Sequence, residues 1–84
     1  MTISILYFAR YREALNCDKE NFALEDNIKT VDDLINTLSI RGDIWKRVLN
    51  EEKVLIAVNQ TISNRSSAIN EGDEVAFFPP VTGG

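Results

Sequence analysis

Gly83 and Gly84 close the chain, and the carboxylate of a terminal glycine is the group here with the most definite chemical use. With no Cβ beside it, such a carboxylate can enter a narrow tunnel and be activated there. Two glycines alone would read as a frayed end. The residues before them favour a use, because Phe77-Phe78-Pro79-Pro80-Val81-Thr82 forms a stiff exit from a hydrophobic run. Pro79 and Pro80 fix φ and favour an extended path that cannot fold back as a strand. At the extended rise, the last five residues reach about 15 Å beyond the fold, enough to place a carboxylate inside a partner while the domain docks outside. Val81 and Thr82 are expected to be gripped by the tunnel, and Gly83 and Gly84 to pass where no side chain fits. Residues 79–84 are thus expected to form a protruding, flexible tail on a single domain spanning residues 1–84.

Other side chains offer little chemistry. The sequence has no histidine, so neither a Ser-His or Cys-His nucleophile pair nor a His-ligated metal site can be built. Cys17 is the single cysteine, which excludes an internal disulfide and a thiolate cluster. A lone thiol is inert unless its pKa is lowered. Carboxylates are plentiful, yet no two suggest a buried acid and base. The chain is poorly equipped to be an enzyme on its own, and no bound cofactor or metal is expected.

Composition narrows the partners. The nine Lys and Arg are scattered and the formal net charge is −4, so no basic face exists to neutralise nucleic-acid phosphates. An acidic domain is instead steered toward basic protein surfaces. No apolar run approaches the ~20 residues needed to cross a bilayer. The start, Met1-Thr2-Ile3-Ser4-Ile5, lacks the basic segment of a secretion signal, so a cytoplasmic location is expected.

The elements that must present the tail can be read from periodicity. Thr2 to Phe8 reads as a strand, with Ile3, Ile5 and Tyr7 on one face and Ser4, Leu6 and Phe8 on the other. Ala9 to Leu15 reads as a short helix with Ala9 and Ala14 as small packing residues, ended by Asn16 in the left-handed conformation. Lys19 to Glu25 alternates as a half-buried strand with Phe22 and Leu24 inward. Thr30 caps the main helix, Asp32 and Asp33 suit its dipole, and Val31, Leu34, Ile35 and Leu38 form its apolar stripe. Arg41 and Gly42 mark its end, and a short piece carrying Ile44, Trp45, Val48 and Leu49 lids the core. Val54 to Val58 suits a strand buried on both faces, Asn59-Gln60 a turn, and Thr61 to Ser63 a short strand. Ala68 and Ile69 return to the core, Glu71-Gly72-Asp73 turns, and Glu74 to Phe78 is the last strand. The order predicts an α+β roll of the β-grasp, ubiquitin-like type. Its mixed sheet has four or five strands, with one main helix and short extra helices.

Alternation then assigns the paired aromatics. Val75 and Phe77 face the helix, so Phe78 faces outward with Leu6 and Phe8. Aromatics exposed together on a sheet mark a protein interface, unless a loop covers them.

Three stretches carry a family resemblance: Leu6-Tyr7-Phe8-Ala9 with Arg12-Glu13, Ala57-Val58-Asn59-Gln60, and Glu71 through Gly84. Together they resemble the MoaD family, the small sulfur-carrying subunits of molybdopterin synthase, within the ubiquitin-like MoaD/ThiS carriers. Asn16-Cys17 departs from the family, which commonly turns there with glycine. The resemblance implies that an E1-like, MoeB-like adenylyltransferase uses ATP to adenylate the Gly84 carboxylate. A sulfur donor protein then converts it to a thiocarboxylate. It further implies insertion into a MoaE-like large subunit, where sulfur passes to cyclic pyranopterin monophosphate to build the molybdopterin dithiolene. The family's docking positions match Phe8, Arg12, Ile62 and Phe78, and its assemblies are two-plus-two heterotetramers. Three rival uses remain: a carrier for thiamin synthesis or tRNA thiolation, a ubiquitin-like modifier that conjugates to lysines, and a plain interaction module whose tail is incidental.

Overall fold

The computed structural model describes residues 1–80. Five strands form one sheet in the order β2-β1-β5-β3-β4: β1 (Thr2–Tyr7), β2 (Lys19–Ala23), β3 (Leu55–Val58), β4 (Thr61–Ser63) and β5 (Glu74–Phe78). β1 and β5 pair in parallel at the centre, and the other neighbours are antiparallel. Three helices, α1 (Arg10–Leu15), α2 (Val31–Ser39) and α3 (Asp43–Leu49), complete the β-grasp fold.

Only one sheet face has a helical cover, and the α2 sequence explains how. Thr30 accepts a hydrogen bond from the Asp33 amide while the Asp33 side chain accepts from Thr30, a reciprocal cap that fixes the start of the helix. Val31, Leu34, Ile35 and Leu38 are all buried, with Ile3, Ile5, Tyr7, Val75 and Phe77 beneath them. Val48 and Leu49 of α3 close the same core, and Trp45 meets Tyr7 edge-on at 5.5 Å. Apart from the tyrosines Tyr7 and Tyr11, no charged or polar side chain is buried among the described residues.

Turns follow the expected chemistry. Asn16 ends α1 in the left-handed region (φ 53°). Asn59 and Gln60, at φ 51° and 68°, form the two-residue hairpin joining β3 to β4. Gly72 supplies φ 84° in the turn before β5.

Several expectations change. β1 ends at Tyr7 and α1 begins at Arg10, because Ala9 between them adopts φ 53°, ψ −131° and breaks both patterns. Ala9 and Ala14 are exposed; α1 is too short for a wide apolar face, and packs through Tyr11 and Leu15 instead. β2 stops at Ala23, before Leu24. Ala68 is exposed and bridges Thr30, leaving only Ile69 in the core. β3 is not buried on both faces: Ile56 lies under the helices, whereas Leu55 is 38% exposed on the opposite side. The expected tail begins at Pro79 and Pro80, both half-buried, and its remainder, Val81, Thr82, Gly83 and Gly84, lies outside the described residues.

Candidate docking face and tail exit

Two aromatic pairs straddle the central β1–β5 ladder. The parallel register sets Tyr7 beside Phe77, and these rings stack inside the core at 6.0 Å. One residue further along both strands, Phe8 and Phe78 stack on the open face with centroids 4.6 Å apart and planes 7° from parallel. Strand alternation therefore produces an inner pair that holds the fold and an outer pair that does not. Phe8 is 41% exposed, and Phe78 is half-buried because the Phe8 ring covers it.

The outer pair borders a shallow apolar hollow of ≈ 490 Å³. Leu6, Phe8, Ala76, Phe78, Ala57 and Ile62 line it, with Glu74 and Gln60 as its polar members. Leu55 pairs with Phe78 across the ladder and extends the apolar surface. Ile62, opposite Ala57 on β4, is 73% exposed. The hairpin that carries it is tied to β5: the Asn59 amide donates to the Glu74 carbonyl (2.7 Å) and the Asn59 side chain accepts from the Glu74 amide (2.9 Å). A sheet face with aromatic and branched side chains around a hollow, and few charges, suits burial against another protein.

Phe8, Ile62 and Phe78 thus come together around one hollow, and Pro79 and Pro80 follow Phe78 in the chain. Arg12 does not join them. It lies on α1 and borders a separate hollow with Glu13, Asn16, Cys17 and Asp18. Alternation grouped Ala76 with Phe78, whereas Leu55 and Ala57 were missed because β3 read as buried on both faces; parity from Ile56 would have found them. Val81, Thr82, Gly83 and Gly84 were also expected to act here and lie outside the described residues.

Cys17 and Glu20 lie outside the lining of this hollow. Burial raises the Cys17 thiol pKa and the neighbouring Glu20 carboxylate adds to the rise, so the thiolate is disfavoured. Glu20 takes a two-pronged contact from Arg41 (2.8 Å and 2.8 Å) and the Tyr7 hydroxyl (2.9 Å), and the Arg41 hydrogen bonds chiefly hold its pKa low. Among the described residues, no cluster of three or more potential metal ligands occurs. No described helix is long and apolar enough to cross a membrane.

Comparison with known proteins gives the same picture. A family model described as the ThiS family matches residues 5–84. The molybdopterin synthase sulfur carrier subunit of Haemophilus influenzae is 43% identical over 82 residues, covering 98% of this chain and 99% of that one. The crystal structure of SAMP1 from Haloferax volcanii superposes with a TM-score of 0.80 at 26% identity, over 100% of both chains. A chain in the complex of subunits 1 and 2 of molybdopterin-converting factor from Helicobacter pylori shares the fold, with a TM-score of 0.68 at 20% identity over 100% of both. With its β-grasp sheet, its outward aromatic pair and a match running from β1 to the last glycine, the chain belongs to the ThiS family, alongside relatives named molybdopterin synthase sulfur carrier subunit.

Proposed function

We propose that this chain is the sulfur carrier of a molybdopterin synthase and that its working group is the Gly84 carboxylate. A MoeB-like adenylyltransferase activates that carboxylate with ATP. Sulfur from a donor protein then displaces AMP, leaving a thiocarboxylate. Docked on a MoaE-like large subunit, the chain gives its sulfur to cyclic pyranopterin monophosphate and leaves as the carboxylate to be recharged. Two such transfers complete the dithiolene. The chain supplies the acyl group and the docking face. Lysines, metals and nucleotide belong to its partners, and the cycle runs in the cytoplasm.

The observation that carries this reading is the stacked Phe8–Phe78 pair beside the apolar hollow, placed where Pro79 leaves the sheet. A carrier must dock by one surface and deliver its terminus beyond it, and Pro79, the first residue of the expected tail, directly follows Phe78 of this face. Use of one face for both the activating enzyme and the large subunit makes those partners compete. The Haemophilus influenzae relative supports the molybdopterin pathway over thiamin synthesis or tRNA thiolation.

A second reading, a ubiquitin-like modifier, is favoured by the likeness to SAMP1, a small archaeal modifier protein. The two separate on product. Thiocarboxylated chain mixed with the large subunit and the pterin precursor should yield molybdopterin. Absence of product rejects the pathway, and isopeptide conjugates in cells would favour the modifier.

A further inference from the structure

Ala9 occupies a backbone conformation that its side chain disfavours. The sequence Phe8-Ala9-Arg10-Tyr11 makes a β-turn closed by a hydrogen bond from the Tyr11 amide to the Phe8 carbonyl (3.1 Å). At φ 53° and ψ −131°, Ala9 stands at the turn position where glycine is normally required. Elsewhere among the described residues positive φ falls on Asn16, Asn59, Gln60 or glycine. A strained alanine persists only where its neighbours hold it from both sides.

Both holds are visible. On one side, the Phe8 amide donates to the Phe77 carbonyl (3.2 Å), just past the end of the β1 ladder. On the other, the first turn of α1 is clamped to Glu51, which lies in the loop between α3 and β3. Arg10 grips that carboxylate with both terminal nitrogens (2.6 Å and 3.1 Å), and the Tyr11 hydroxyl donates to it as well (3.1 Å). Leu15 is buried at the far end of the helix. With α1 fixed at both ends, the group left to move if Ala9 relaxes is Phe8, whose partly exposed ring rests on Phe78.

We propose that Glu51 is a positioning residue for the docking face: through Arg10 and Tyr11 it holds α1 so that the Ala9 turn keeps the Phe8 ring parallel to Phe78. The inference concerns the free chain directly; its consequence for docking rests on the function proposed above. Glycine accepts the Ala9 conformation without strain. The clamp is therefore needed only while residue 9 carries a side chain, and A9G should rescue loss of the clamp.

The test compares E51A, A9G and the double variant A9G/E51A, with Y11F as a second way to weaken the clamp without touching the loop. Ring-current shifts of the Phe8 and Phe78 ring protons, and contacts between the two rings by NMR in the free chain, report the stack. Affinity for the large subunit reports docking. E51A should diminish the ring-current shifts and weaken binding about fivefold, Y11F should do so more mildly, and A9G/E51A should return to within about twofold of the parent, because coupled sites are non-additive. Unchanged ring shifts in E51A, or additive losses in the double variant, overturn the inference. If the parent chain does not bind the large subunit at all, the proposed function fails, and the ring shifts still decide the role of Glu51.

Discussion

Phe77 and Phe78 are neighbours in one strand with opposite duties, so Phe78→Ala and Phe77→Ala should separate stability from docking. Phe77 is fully buried and stacks on Tyr7 under the helices. Its truncation opens a core cavity and costs about 3–5 kcal/mol. Domains of this size have a total stability of roughly 4–13 kcal/mol, so the Phe77 variant should lose a large share of it and unfold outright where the parent lies at the low end of that range. Phe78 loses its stack with Phe8 and some partial burial, worth about 1 kcal/mol in the free chain. That predicts a fall in Tm of roughly 4–8 °C and a retained fold. Docking should suffer far more, since a central interface aromatic typically contributes about 2 kcal/mol or more, near 30-fold in Kd. Thermal melts followed by circular dichroism, and calorimetric titration with the large subunit, measure the two quantities. If Phe78→Ala unfolds the chain as Phe77→Ala does, the face assignment is wrong. If it folds and binds as the parent does, the open face is not the docking surface.

Two further outcomes follow from the tail and the tyrosines. Deleting Gly84, or adding one residue after it, should abolish sulfur transfer in the reconstituted synthase while leaving the melting temperature unchanged, because no described core residue lies beyond Phe77. Burial first, and the Glu51 carboxylate second, push the Tyr11 pKa up to about 12, and burial with the Glu20 hydrogen bond raises Tyr7 further. Both groups therefore favour the native state fully below the unfolded tyrosine pKa of about 10, and that contribution is lost as pH rises through their folded values. Tyrosinate absorbance should stay low near pH 10 in the native chain and appear together with unfolding; free titration near pH 10 without unfolding would contradict the burial of both hydroxyls.

Strand parity made the two faces legible before any coordinates, because side-chain direction alternates whatever the partner strand is. It set Phe77 and Phe78 on opposite faces, and packing of a single face under the helix was the further premise that made one of them inward. What parity could not supply was non-local. That β1 runs parallel to β5, in the register that sets Phe8 against Phe78, depends on a pairing across nearly the whole chain. The Glu51 clamp joins residues separated by 41 and 40 positions and leaves no local pattern. Leu55 read as buried because an apolar run does not reveal which face lacks a helix. Ala9 is the most instructive case. A glycine there would have signalled a turn, whereas alanine read as a helix start and its strain emerged only from the dihedral angles.

The proposed carrier works by delivering one carboxylate, so the mass of the intact chain is its most direct test. After incubation with ATP, the activating enzyme and a sulfur source, the protein should gain about 16 Da, the replacement of one oxygen by sulfur at its terminus. The gain should vanish when Gly84 is removed. An unchanged mass under conditions that charge a known carrier would contradict the claim that Gly84 carries sulfur.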